Sequence, residues 1–574
     1  MAESNGATIE AMLPPTAPTE VRERYLSLAR RAAAADFGPL EEDVVVIDTE
    51  TTGLSFKDCD LIEISAARLS GREVVERFET FVDPGTPIPP EIERLTGIRS
   101  IDVAGAPDAR TAVAALADFV AGSPVLAHNA TFDRTFIEAV PGGADVSDTW
   151  IDTLSLSRIA LPLLSTHRLA DMAEAFGCAA VTHRSSDDVD ALCGMWPILL
   201  RALADLPRGL LARLASMHPE VDWPFRPVFS YLAGPGSAEL DARPFSLREV
   251  RGALVATLGG DQRADAASLE HRWAPSAGEV EREFAPGGAV SRMYDRMETR
   301  PEQVAMAREV AEALATGTHR AIEAGTGVGK SVAYLLPEAL YALRNHVSVG
   351  VATKTNALTD QLVSHELPAL SEALGGGLTY TSLKGYEHYP CLRRLDRAAE
   401  DPLPLSEVPH DGRSDNAVSC DMLTAIAVTY AFACQAPEGD LDALGIRWRY
   451  VPRGMLTVSS GECLRGRCPY FSGTCLLHGA RRRAGCSDVV VTNHSLLLCD
   501  VEAEGRILPP IRDWVVDEAH GFESEARRQW AVEVSGADAR AVLERLGGTQ
   551  TGALHAAMVE AMGLEGSTPM VGLL

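Results

Sequence analysis

Short runs of β-branched residues, each closed by polar turns, recur along this chain and predict buried strands. The first is Val44 to Ile47, within VVVIDTETTG at 44–53, and it ends on two acids, Asp48 and Glu50. Residues two apart on a strand point to one face, so the two carboxylates share a side. A second apolar run at 125–127 leads into His128, Asn129 and, after a turn, Asp133. In HRSSDD at 183–188, His183 stands five residues before Asp188, a little over one helical turn. The stretch 347–363, VSVGVATKTNALTDQLV, reads as a strand, and WVVDEAH at 514–520 reads as a strand ending in acids. Amphipathic stretches between these runs predict helices, which makes the class α/β. Residues 1–40 read as a leader with a helix-like run near 21–35. Residues 205–285 mix Pro, Gly and pieces such as FSLREVRGALVATL, and read as a linker with some helix.

Two carboxylates side by side repel each other, and desolvation sharpens the repulsion. Either a cation sits between them or the strand ends in a solvated acidic turn. Oxygen ligands with spare positions suit Mg²⁺ or Mn²⁺. The three motifs, in their order over about 43–204, resemble the DEDDh family of 3′–5′ exonucleases. That resemblance implies a ribonuclease H-like domain at 41–204, a mixed sheet flanked by helices. It implies two metal ions held by Asp48, Glu50, Asp133 and Asp188, with His183 taking a proton from the attacking water. It sets Thr51, Thr52, Leu54 and Asn129 against the substrate. Between Asp187 and Asp188, the family spacing favours Asp188. Asp152 reads as structural, and His167 as a capping or core histidine.

A second motif set starts at Gln303 and continues in RAIEAGTGVGKSVAYLLP at 320–337. Its core fits a P-loop with alanine in the first position. The glycines let successive backbone N–H groups face phosphates at a helix start. Gly325, Thr326, Gly327, Gly329, Lys330 and Ser331 would cradle ATP, with Lys330 on the β- and γ-phosphates and Ser331 on Mg²⁺. The DEAH box at 517–520 resembles that of helicases, which implies Asp517 on the ion and Glu518 on the attacking water. Between these motifs lie Cys391, Cys463, Cys468 and Cys475, whose thiolates could hold zinc or a [4Fe–4S] cluster. Tight C-x-x-C pairs are missing. The spacing and the flanking KGYEHYPC resemble the DinG branch of XPD-like iron–sulfur helicases, which implies the cluster. The expected layout is then a RecA-like lobe at 286–574 with an iron–sulfur insertion at about 380–485 and the start of an arch domain. Lys384, Tyr386, Tyr389, Arg393 and Arg394, then the 447–450 run RWRY, would stack on single-stranded DNA or else be scattered surface and core residues.

Composition adds limits. The 574 residues carry a formal charge of −28, so any groove for nucleic acid must be local. Only four of the 52 basic residues are lysines: Lys57, Lys330, Lys354 and Lys384. No stretch reads as approaching a membrane span, the start is no signal peptide, and a cytoplasmic protein with reduced cysteines is expected. The expected partner is DNA, single-stranded or with 3′ ends, with RNA as the alternative and no membrane. Only 54 residues follow His520. A second motor lobe is therefore expected to be missing, or supplied by a separate chain, leaving ATP hydrolysis poor.

Overall fold

The computed structural model describes residues 5–234, 245–255, 261–269, 271–294, 300–325, 327–471 and 473–531, with isolated positions up to 559. Thr326 and almost all of the chain past 531 lie outside the described residues.

Five strands form the first sheet: β1 (Glu42–Thr51), β2 (Leu61–Ser70), β3 (Glu73–Phe81), β4 (Val125–Ala127) and β5 (Trp150–Asp152). Their order is β3-β2-β1-β4-β5, with β1, β2 and β3 antiparallel and β4 and β5 running parallel to β1. This is a mixed sheet of the kind expected for residues 41–204. The apolar run of β1 is unbroken because both of its faces are covered. Val45 and Ile47 pack in one core with the helix Ala109–Val120. Val44 and Val46 face a second core, reached by the helix Ser185–Ala204.

That second core extends well past the nuclease strands. It takes Ile9, Tyr25 and Leu28 from helices at the start of the chain, and Leu210, Leu211 and Phe229 from the helices Arg208–Ser216 and Arg226–Ala233. The leader and linker readings are corrected here. Helices described in both stretches are amphipathic and join that core: Leu28–Ala33 packs on Ser185–Ala204, and Leu247–Val255 on the helix Asp415–Gln435. The helix Asp415–Gln435 buries Ile426, Tyr430 and Phe432 among others in the same core. Contrary to the expectation, this helix is long and apolar enough to cross a membrane by length and composition. It is apolar all round because other helices surround it, and most of its apolar stretch is buried. Arg251, fully buried on the helix Leu247–Val255, ties that helix in place. Its guanidinium donates to the carbonyls of Thr474 (2.7 Å), Ala433 (2.7 Å), Ala436 (2.8 Å) and Pro437 (3.0 Å).

The second sheet has four parallel strands in the order β7-β8-β6-β9: β6 (Val349–Thr353), β7 (Tyr380–Ser382), β8 (Val489–Asn493) and β9 (Trp514–Val516). The strand expected over 347–363 is shorter than its apolar pattern. It stops at Thr353 because the Thr355 side chain accepts the Leu358 N–H (3.3 Å) and starts the helix Asn356–Gln361.

Candidate active site

β1 carries Asp48 and Glu50 on the face toward the helix Ser185–Ala204, whose first turn supplies Asp188. Carboxylate oxygens of these three residues all lie within 4.8 Å of one another. Asp133 is buried on the helix Thr131–Ala139 and stands beside the trio. Its Oδ1 accepts the Thr49 N–H (3.0 Å) and the Thr49 hydroxyl (2.8 Å). Asp187 turns away and accepts the Thr182 hydroxyl, while Asp188 Oδ1 accepts the Thr182 N–H at 3.2 Å. Of the adjacent pair, Asp188 is thus the one aimed at the cluster.

So much negative charge in one place shows in its protonation. Burial, then the charges of Asp133, Asp188, Glu50 and Glu63, pushes Asp48 well above the usual carboxylate range. Burial, then Asp188 and Glu63, pushes Glu50 up to about 8. Burial pushes Asp133 up to about 7 against the two Thr49 hydrogen bonds, and burial raises Asp188. Acids crowded this way either keep protons or take up cations, and an all-oxygen donor set fits Mg²⁺ or Mn²⁺.

His183 is exposed and sits in the loop ahead of the helix Ser185–Ala204, with a left-handed φ of +60°. The expectation that His183 and Asp188 share a helix is corrected: the helix starts only after Arg184. Thr51 is buried and donates its hydroxyl to the Gly53 carbonyl (2.6 Å), and the Thr52 hydroxyl accepts the Asp60 N–H (2.9 Å). Leu54, just beyond, is 90% exposed, an apolar side chain held out to solvent near the acids. Asn129 also takes a left-handed φ (+70°) and gives its N–H to Asp152 (2.9 Å). Asp152 further accepts the N–H groups of Ala130 and Leu154 and the Ser155 hydroxyl, a structural set of bonds. His167 Nε2 donates to the Leu161 carbonyl (3.1 Å), and burial lowers its pKa to about 4, as in a core histidine. Sequence reasoning missed Glu63, which faces Glu50 across β1 and β2. A lone acid inside the apolar run LIEISAARL was its signal.

In the second half, Lys330 opens the helix Lys330–Asn345 after Gly329, whose φ is +82°. The Gln303 amide donates to the Gly329 carbonyl at 2.8 Å, and a Cβ at Gly329 would collide with that amide. Lys330 Nζ lies 3.2 Å from Glu518, and the Tyr334 hydroxyl donates to Asp517 at 3.1 Å. Gly325 and Gly327 belong to the same loop, and Ser331 sits in the first turn of the helix. Residues 188 positions apart in sequence are thereby side by side.

Cys391, Cys463, Cys468 and Cys475 line one cavity, together with Tyr389 and His478. Burial pushes the thiols of Cys391 and Cys475 up, and Cys468 adds charge to both. Four sulfurs around one cavity fit a bound metal centre. The basic and aromatic residues fare differently. Lys384 is buried against Asp360 (2.9 Å), Asp440 (2.9 Å) and Asp442 (3.3 Å), so it faces acids within the chain. Tyr389 is buried too, Arg394 pairs with Glu462, and Tyr386 lies under Arg481. In the 447–450 run, Trp448 and Tyr450 already stack under Arg453 and Arg413.

Residues 45–195 match the RNase_T exonuclease family model. The chain as a whole is similar to proteins named DinG. It is 28% identical to the 3′-5′ exonuclease DinG of Bacillus subtilis over 522 residues, covering 88% of this chain and 52% of that protein. It is 38% identical to the ATP-dependent helicase DinG of Mycobacterium tuberculosis over 242 residues, covering 41% of this chain and 36% of that protein. The chain spans about half the length, or less, of the curated relatives it matches. Among solved structures, exonuclease X in complex with 5′ overhanging duplex DNA aligns with 27% of this chain and 90% of its own, at 24% identity and a TM-score of 0.23.

Proposed function

We propose that the protein is a metal-dependent 3′–5′ exonuclease joined to an ATP-binding, DinG-like helicase portion. The gathering of Asp48, Glu50 and Asp188 from two distant segments carries this reading. Asp48, Glu50, Asp133 and Asp188 would hold two Mg²⁺ or Mn²⁺ ions. Such ions clamp a scissile phosphate and stabilise the attacking and leaving oxygens. His183, exposed at the rim, would accept a proton from water. Leu54 and the Thr51–Thr52 turn would hold the terminal nucleotide apart from its neighbour, and Asn129 would contact the strand. The substrate is DNA with a free 3′ end, with RNA as the alternative.

In the second half, the parallel sheet, the loop at 325–331 and the contacts Lys330–Glu518 and Tyr334–Asp517 support a RecA-like ATP site. Gln303, Gly325, Gly327, Gly329, Lys330 and Ser331 would bind ATP with Mg²⁺, Thr326 completing the motif. Asp517 would face the ion and Glu518 the attacking water. Cys391, Cys463, Cys468 and Cys475 would hold a [4Fe–4S] cluster, which would brace the insertion beside a DNA path.

The deciding experiment uses a 3′-labelled single-stranded DNA oligonucleotide with and without Mg²⁺. Release of labelled mononucleotide only with the metal is expected; no release, or release in EDTA, would overturn the nuclease reading. Lys330→Met should abolish binding of a fluorescent ATP analogue and leave oligonucleotide digestion unchanged. Retained nucleotide affinity would remove the ATP site.

A further inference from the structure

We propose that Glu63 and Arg184 form a clamp that positions the His183 loop against the acid cluster, Glu63 being held off the metal ions by Arg184. This rests on the exonuclease reading above. The helix Ser185–Ala204 lacks a cap of its own, because its N-cap residue is Arg184 and makes no side-chain cap bond. β2 supplies the missing acceptor: Glu63 Oε2 receives the Ser185 N–H at 3.1 Å. The same carboxylate takes the Arg184 guanidinium through both oxygens, at 2.7 Å and 3.3 Å. Below it, the Ser65 and Ser185 hydroxyls meet at 2.6 Å in the core. β2 therefore grips the helix start at three points.

His183 directly precedes this grip and holds a left-handed backbone. For a non-glycine residue that conformation costs roughly 1–3 kcal/mol and persists only where the surroundings impose it. On its other side, Thr182 is bonded to Asp187 and Asp188. The loop is fixed at both ends, and His183 has one place to stand.

Glu63 also has a charge to be managed. It pairs across the strands with Glu50, and its carboxylate bears on both Glu50 and Asp48. Left unpaired, it would be one more oxygen donor at the cluster's edge. The planar Arg184 fork occupies it bidentately, which a lysine ammonium does not reproduce. The Arg184 side chain is 40% exposed, so replacing it leaves the core intact.

The test uses the full chain with Arg184→Met, Arg184→Lys and Glu63→Met beside the wild type. Arg184→Met should lower kcat for Mg²⁺-dependent 3′ nucleotide release by about 10–100-fold, the usual cost of losing a partner that orients a metal site. Its KM should stay within about twofold, the pattern of a group that acts only in the chemical step. Its melting temperature should fall only slightly, since Glu63 loses its partner while the core is untouched, and Arg184→Lys should recover only part of the kcat loss. Glu63→Met should speed hydrogen exchange at the Ser185 amide. Wild-type kcat in Arg184→Met, or a joint fall of kcat, KM and melting temperature that Arg184→Lys fails to relieve, would overturn the clamp. If the wild type cleaves nothing, the nuclease reading fails by itself, and the clamp stands or falls on the Ser185 exchange rate.

Discussion

Asp48→Asn is expected to reduce Mg²⁺-dependent 3′-end release by on the order of 10³-fold, the scale seen when a preorganised charge at a transition state is removed. Asp48, Glu50 and Asp188 bring carboxylate oxygens within 4.8 Å of one another, so the loss of Asp48 removes a donor from the cation site. The same substitution should act in the opposite sense on the metal-free fold. Burial and four neighbouring acids disfavour the Asp48 carboxylate, and a neutral amide relieves that strain. The melting temperature of Asp48→Asn in EDTA at pH 8 should therefore equal or exceed that of the wild type, while Mg²⁺ raises only the wild type. The pH dependence follows from the same acids. Unfolded carboxylates titrate near 4. Glu50 is raised to about 8 and Asp133 to about 7, so between those limits the folded chain binds more protons. Stability without metal is then greatest below about pH 4.5 as far as these groups contribute, and is lost as pH rises toward 8. Divalent metal should flatten that loss. Melting curves across pH 5–8.5, with EDTA and with Mg²⁺, read all of this. A wild type more stable at pH 8 than at pH 5 in EDTA, with no gain from Mg²⁺, would speak against a cation site.

The second large effect concerns cutting the chain. A fragment of residues 41–204, the boundaries of the sequence pattern, should fail to fold as a stable unit. Its side chains Leu156, Ile159, Trp196, Leu199, Leu200 and Leu203 are buried in a core completed from outside those limits. Tyr25 and Leu28 come from before it, Leu210, Leu211 and Phe229 from just after, and Ile426 and Tyr430 from some two hundred residues on. Trp196 gives its indole N–H to the Leu40 carbonyl (2.8 Å), which lies outside the fragment. Exposing even half of such a face costs on the order of 10 kcal/mol, at ~1.5–3 kcal/mol per large apolar side chain. That rivals the whole net stability of a domain, roughly 5–15 kcal/mol. The fragment should aggregate or melt without cooperativity in circular dichroism. A soluble monomer with a sharp transition at the full chain's temperature would show that the shared core is dispensable.

How far the site was legible depended on how local each signal was. Asp48 and Glu50 could be read because period two and an apolar run are properties of one strand. The helix start at Lys330 could be read because glycines and a lysine state it within eight residues. His183 was assigned correctly as a neighbour of Asp188 but to the wrong element, since spacing cannot tell a residue on a helix from one held just ahead of it. Glu63 gave a faint signal only, because its meaning lies in an antiparallel register that sets it opposite Glu50. Lys384 looked like a cation for DNA until Asp360, Asp440 and Asp442 were seen around it, two of them more than fifty residues away.

The order of residues alone determined the apolar run of β1 with its two acids and the glycine-rich loop ahead of Lys330, since each is written in neighbours a few positions apart. Tertiary structure alone decided that helices in the stretches taken for leader and linker join the core, that an apolar helix of 21 residues lies inside the molecule, and which acids meet. An amphipathic pattern says that a face will be buried and is silent on what will bury it. That choice belongs to the packing of segments hundreds of residues apart, whose contacts no local pattern encodes.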